Sequence, residues 1–276
     1  AKIVERGLKW LVANQGADGK MGEGYAHGIC TLALCEAFGI TADPQLKGPA
    51  QRAINCLVSW QNETGGFRYA PKGDHDLSVS GWHNQAAKSG QMSGLHVPNV
   101  TFAGINAYLD RNSAIPDGSG YFYREPGGPT ARMTAVGLLS REYMGWGPRH
   151  PGLVKGVEFL RRLPPSQAYK DIYYYYYATQ VVHQFGGEAW NQWNEGVNGR
   201  PGMRDLLIDS QDQGQFADRR CQKGSWDPSG DPFANSMGRL CYTALCLLTL
   251  EVYYRHLPLY QRELGAAKDP AVRNGL

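Results

Sequence analysis

The residues best placed for chemistry lie in the run Asp74-His75-Asp76-Leu77-Ser78, two carboxylates one residue apart at the head of a helical run. Kept dry and held neutral by its neighbours, Asp76 would be a general acid with Asp74 in support. Ionised, the same side chain would cap the helix that follows. Asp171 heads another such run, and carboxyls such as Asp76 and Asp171 paired about 5–10 Å apart across a cleft would suit glycoside chemistry. Arg132 and Arg239 open two further runs and are expected to contact an anion. Tyr173 to Tyr177 form an unbroken aromatic stretch, joined by Trp82, Tyr143, Tyr242 and Tyr253. About two of five consecutive residues on a helix face one way. Those faces would stabilise a cation or grip an apolar chain, or else pack in a core with their hydroxyls satisfied. The candidate catalytic residues are Asp76 and Asp74. The candidate substrate-binding residues are His27, Ser78, Trp82, Arg132, Tyr173, Arg239 and Tyr242.

Helices must position these residues. Four times the chain repeats a glycine turn with an aromatic or Met, a short loop and an apolar helical run. The turns are Asp18-Gly19-Lys20-Met21, Thr64-Gly65-Gly66-Phe67, Asp117-Gly118-Ser119-Gly120-Tyr121 and Lys223-Gly224-Ser225-Trp226-Asp227-Pro228. The runs are 28–38, 79–89, 131–143 and 239–255; a fifth, 173–185, lacks the turn. A period of about 45–60 residues marks a repeat architecture. Each apolar run follows an amphipathic one, near 3–12 and then over 49–61, 99–110, 151–163 and 190–210. In the first, Ile3, Leu8, Leu11 and Val12 keep helical spacing while Lys2, Glu5, Arg6 and Lys9 face water.

A helix that is apolar all round is buried all round, so the alternation implies two concentric layers with the apolar helices inside. Each unit returns the chain to the same side, so the inner helices run parallel. Their N-termini gather at one rim of a central cavity, each with free N–H groups and about half a positive charge. Such a rim suits an anion or a carboxylate. His27, Asp74, Asp76, Ser78, Arg132, Asp171 and Arg239 are expected there. The segments 110–130 and 211–236, rich in Gly, Asp and Pro, are long enough to fold over the rim as lids or to span wider gaps between units.

The 276 residues give ample length for a core, and 28 Lys and Arg against 25 Asp and Glu leave a net charge of +3. The basic residues are scattered rather than striped, which argues against a dedicated nucleic-acid binder. No apolar run reaches the ~18–20 residues of a membrane span; the longest, 240–254, is broken by Thr243, Thr249 and Glu251. The six cysteines lack the density of a disulfide scaffold. Cys30, Cys35, Cys241 and Cys246 are expected as small core residues. The chain opens at Ala1 without an initiator Met or a signal-peptide pattern, which reads as a trimmed domain or a processed chain and leaves the compartment open. No cofactor is expected. The expected partners are an apolar or anionic small molecule in the cavity, or a protein at the rim.

The glycine turns resemble the repeat of terpene cyclases and protein prenyltransferase β subunits, in which a Gln, an Asp-Gly pair and an aromatic precede the inner helix. Gln15, Asp18-Gly19 and Met21 match it with the aromatic replaced. Gln61, Gly66 and Phe67 match, as do Gln222, Gly224 and Trp226. Tyr25-Ala26-His27-Gly28 through Glu36-Ala37-Phe38 and Asp76-Leu77-Ser78-Val79-Ser80-Gly81-Trp82 look closer still to bacterial prenyltransferase and squalene-cyclase-repeat proteins. So does Leu250-Glu251-Val252-Tyr253-Tyr254-Arg255 with His256-Leu257-Pro258-Leu259-Tyr260. The resemblance covers nearly the whole chain. It implies an all-α fold, an α/α toroid of about five to six helical hairpins, as one domain over 1–263 with a polar tail at 264–276.

The same resemblance implies particular chemistries. Class II terpene cyclases carry an Asp-x-Asp-Asp-Thr motif whose middle Asp protonates an alkene. Asp74, Asp76 and Ser78 match it, with Leu77 in place of the last Asp. Protein prenyltransferases hold zinc with an Asp, a Cys and a His at inner-helix starts. The counterparts would be His27, Asp76 and His83 with Cys221 or Cys241. No Asp-x-Cys pair stands in the matching place, nor is there a Cys-x-x-Cys or His-x-x-x-His, and no metal is expected. Ala26-His27-Gly28 resembles lanthionine cyclases, whose Trp-Cys pair and Cys-His-Gly segment are absent. Complement-type thioester domains are single toroids of similar length that serve in recognition; their Cys-Gly-Glu-Gln motif is absent too. With each catalytic signature incomplete, the expectation is a single toroid acting as a ligand- or protein-binding module. The alternatives are an isoprenoid or apolar-substrate cyclase or transferase with Asp76 as general acid, and a carbohydrate-active toroid enzyme.

Overall fold

The computed structural model describes residues 2–124, 127–214 and 222–252. The expectations for Cys221, Tyr253, the end of the last apolar run and the tail at 264–276 lie outside the described residues. Eleven helices and one short hairpin make up the regular structure described. Among the described residues no helix is long and apolar enough to cross a membrane. The chain divides into two compact units, residues 2–113 with 122–124 and 127, and residues 114–121 with 128–214 and 222–252.

In the first unit α1 (Lys2–Ala13), α3 (Pro44–Trp60) and α5 (Asn99–Arg111) alternate with α2 (Tyr25–Thr41) and α4 (Leu77–Met92). α2 lies along α4, and α3 packs on both. α3 buries a stripe of Leu46, Ala50, Ala53, Ile54, Leu57 and Trp60, as an amphipathic helix should, whereas α4 is buried almost all round. α3 starts earlier than the expected position 49. Asp43 accepts the Gln45 N–H at 2.9 Å and Pro44 fills the first helical position, a stronger start signal than Pro49. α1 keeps its amphipathic spacing but buries no residue, and Ile3 is 76% exposed.

In the second unit α8 (Ile172–Phe185) lies between α6 (Ala131–Tyr143) and α11 (Ala234–Leu250), with α7 (Pro151–Arg161) against α6 and α8. The single helix expected over 190–210 is two helices, α9 (Gly187–Glu195) and α10 (Met203–Ser210). They are separated by the hairpin β1 (Gly196–Val197) and β2 (Arg200–Pro201). Asn198 and Gly199 turn the hairpin with φ of 51° and 76°, the left-handed pair that a two-residue hairpin requires. Cys35 and Cys246 are buried as expected, but Cys241 is exposed and Cys30 only half-buried.

Hydrogen bonds repeat along with the elements. In each glycine turn the N–H of the aromatic or Met donates to a side chain on the helix that follows. Met21 donates to His27 Nδ1 at 3.3 Å, Phe67 to Ser80 Oγ at 2.9 Å, Tyr121 to Thr134 Oγ1 at 3.1 Å and Trp226 to Thr243 Oγ1 at 3.1 Å. The Phe67, Tyr121 and Trp226 rings go into the core. In the first two turns a Gln ties the turn to the start or middle of a later helix, α3 or α5. Gln15 Nε2 donates to Gly19 O at 3.3 Å and Pro49 O at 2.9 Å, and Gln61 Nε2 to Gly65 O and Thr101 O, both at 3.0 Å.

In the last turn the bond to the glycine carbonyl comes from Gln211, whose Nε2 donates to Gly224 O at 3.0 Å. Gln222, matched to the repeat from sequence, lies inside the turn, where its carbonyl accepts the Ser225 N–H. Only glycine fits at Gly19 and Gly65. Their φ values are 88° and 87°, and a Cβ would meet Arg52 O at 2.1 Å and Gly104 O at 1.9 Å.

Candidate functional site

Asp76 has no exposed surface and caps α4. Its Oδ1 accepts the Val79 N–H at 2.8 Å and the Ser78 hydroxyl at 2.6 Å. With the Ser78 proton used there, the Tyr25 hydroxyl donates to Ser78 Oγ at 2.6 Å. Asp76 Oδ2 faces Arg68 Nε at 3.4 Å, an ion pair without a hydrogen bond. Arg68 also donates to Asp74 Oδ2 at 2.6 Å, and Arg124 pairs with the same oxygen. The His75 N–H first, and Arg124 and Arg68 after it, hold the Asp74 carboxyl below its ordinary range.

Tyr69 lies 5.6 Å from the Arg68 guanidinium carbon and meets Tyr25 edge-on at 6.0 Å. The Leu77 N–H donates to the Tyr123 carbonyl at 3.3 Å, so residues 122–124 run beside the start of α4. Burial, followed by the charge of Asp76, pushes the Tyr123 phenol up. Tyr69 and Tyr123 remain 47% and 43% exposed. The result is a face of two arginines, Asp74 and tyrosines laid over a buried carboxylate.

His27 and Trp82, expected at a ligand, are core residues of this unit. His27 accepts the Met21 N–H on Nδ1, which places its proton on Nε2. Its ring lies 4.9 Å from Trp60 and 5.9 Å from His83. His83 stacks on Phe67 at 4.6 Å, and its Nδ1 reaches Val79 O at 3.0 Å. Burial pushes His27 down to about 4 and His83 down to about 3. Among the described residues, no group of three or more His, Cys, Asp and Glu side chains is arranged to hold a metal ion.

A second cluster forms at the start of α8. Asp171, also without exposed surface, accepts the Tyr174 N–H on Oδ1 at 3.0 Å. Its Oδ2 takes the Tyr169 hydroxyl at 3.2 Å and pairs with Arg132 Nε. Asp231 accepts the Ile172 N–H at 2.8 Å on one oxygen and the Phe233 N–H at 2.8 Å on the other. Burial raises the Asp171 carboxyl, with the Asp231 charge adding to it, against the Tyr174 N–H and Arg132. Arg132 lies 4.9 Å from the Phe233 ring centre, and Tyr173 lies 6.3 Å from the same ring. Arg239 is taken up by its own turn, through Ser225 Oγ at 3.1 Å and Asp227 Oδ2 at 3.3 Å. Tyr242 is buried, which pushes its phenol up.

Six of the expected residues therefore fall into two groups. Asp74, Asp76 and Ser78 meet in the first unit, and Arg132, Asp171 and Tyr173 gather near one helix start in the second. Sequence reasoning missed Arg68, Tyr69, Tyr123 and Arg124, and in the second cluster Tyr169, Asp231 and Phe233. A signal existed for the first four: Arg68-Tyr69 and Tyr123-Arg124 each set an Arg beside a Tyr just after the aromatic of a glycine turn. Compared with known protein families and with curated proteins, the chain matches none of either.

Proposed function

We propose that the chain is a single α/α toroid working as a ligand- or protein-binding module, with the face of Arg68, Asp74, Arg124, Tyr69 and Tyr123 as its binding surface. The toroid rests on the alternation of outer and inner helices and on the recurring turn hydrogen bonds. The binding reading rests on the groups around Asp76. Val79 N–H, Ser78 O–H and Arg68 are all donors. The Val79 N–H and the Arg68 guanidinium cannot accept a proton, yet a general acid must carry one to its substrate. The burial of Asp76 is accounted for by the cap and the ion pair. Arg and Tyr are the side chains enriched at binding hot spots. Here they are half-exposed and already held by neighbours, which lowers the cost of ordering them on binding.

The purified chain incubated with squalene or geranylgeranyl diphosphate is expected to give no cyclised product. A product made by the wild type and lost in Asp76→Asn would favour the cyclase instead. Native mass spectrometry against the denatured sample then reads any co-purified molecule. Tyr69→Ala combined with Arg124→Ala is expected to release it, and full retention would place the binding surface elsewhere.

A further inference from the structure

We propose that copies of this chain associate head to tail, with α1 of one copy docking on the last glycine turn of another. The chain already makes the same kind of interface twice within its first unit, where the first glycine turn sits on α3 and the second on α5. In each, a Gln amide donates to a helix carbonyl, Pro49 O or Thr101 O. A glycine of the turn lies against the carbonyl three places further on, Arg52 O or Gly104 O. The receiving stripe on α3 is Pro49, Ala53 and Cys56, all buried. On α5 it is Thr101, Ile105 and Tyr108, buried as well. Pro49 stands 12 residues before Gln61, and the same count back from Gln15 reaches Ile3. The matching stripe of α1 is therefore Ile3, Gly7 and Trp10, and it is open. Ile3 and Trp10 are 76% and 64% exposed, and a Cβ at Gly7 would meet nothing within 4 Å. Exposed apolar patches of this kind mark interaction surfaces.

The complementary half stands in the last turn, whose backbone bonds repeat those of the first. Gly224 N–H donates to Asp212 O and Asp212 N–H to Ser225 O, as Gly19 does to Gly16 O and Gly16 to Lys20 O. Gln211 bonds Gly224 O as Gln15 bonds Gly19 O. The difference is on the far side. Among the described residues the Gln211 amide makes no second bond to a helix carbonyl, and a Cβ at Gly224 would meet nothing within 4 Å. A second copy's α1 supplies what is missing: Ile3 O for the Gln211 amide and Arg6 O for Gly224. The two halves differ, so the contact is heterologous, and each added copy leaves one α1 and one last turn open unless a ring closes. One helix face on one turn is a small interface, which makes the association weak and dependent on concentration.

Sedimentation velocity over a concentration series tests this. The wild type is expected to run as one chain when dilute and as larger species as concentration rises. Ile3→Glu combined with Trp10→Gln alters only exposed positions and keeps good helix formers, so α1 is retained while its stripe is lost. Gly224→Asn keeps a residue that tolerates the left-handed backbone but fills the space that α1 needs; an unchanged circular dichroism spectrum checks its fold. Each variant alone should stay a single chain. Mixed, they should form a species of two chains and no larger, because one still offers the last turn and the other still offers α1. Larger species formed by Gly224→Asn alone would mean that α1 pairs with α1. That result, a mixture that stays at one chain, or a wild type that remains a single chain up to about 1 mM would each overturn the proposal.

Discussion

His27 and His83 stand among aromatic rings in the first unit, and burial holds both in the neutral form. Their folded values of about 4 and about 3 lie below the ordinary 6.5. The unfolded chain therefore takes up these protons more readily than the folded one. The associated stability is whole above about pH 6.5 and is lost as pH falls toward the folded values. At pH 5, His83 alone accounts for about 2 kcal/mol. The urea midpoint is expected to drop between pH 7 and pH 5, and to drop by less in His83→Leu. If both proteins lost the same stability over that interval, the buried neutral histidine would not be the source. Asp76 illustrates a residue whose capping role was legible from sequence, since Asp before an inner helix is a cap signal. Its ion partner was not legible, because the loop between Arg68 and Asp76 has no regular spacing and only the folded chain brings the two together.

Element boundaries followed local chemistry where one signal dominated. α6 runs over Ala131–Tyr143 as expected, behind Thr130, whose hydroxyl accepts the Met133 N–H at 3.2 Å. Over 190–210 the amphipathic spacing masked Asn198-Gly199, although that dipeptide is itself a strong hairpin signal. The Gln of the last turn was misassigned because Gln211 stands far from Gly224 along the sequence, whereas Gln15 and Gln61 sit close to their glycines. The turn clamp gives a direct test. Ser80→Ala leaves the buried Phe67 N–H without its acceptor and should cost about 1–3 kcal/mol. Ser80→Thr should restore most of that loss, because Thr134 and Thr243 perform the same task in two other repeats. Equal stability of the Ala variant and the wild type in urea would show that the clamp contributes nothing.

Across the molecule, burial is unevenly distributed. α4, α6 and α8 bury most of their residues, including polar ones such as Ser80, Asn84, Thr134 and Gln180, whereas α1 buries none. Backbone opening should follow that distribution. Hydrogen exchange is expected to be slowest in α4, α6 and α8 and fastest in α1 among the described helices; comparable protection of α1 and α4 would contradict it. The ties between repeats also have a direction. Gln15 and Gln61 reach forward to Pro49 on α3 and Thr101 on α5, and Gly19 and Gly65 rest against Arg52 and Gly104 on those same helices. Each turn in the first unit thus leans on the repeat that comes after it, like tiles laid in one direction on a roof. Cutting a repeat from the trailing end would strip the support from the turn before it, while cutting from the leading end would leave the later turns complete. Tolerance to shortening would then depend on which end is removed, even when the two losses are equal in length.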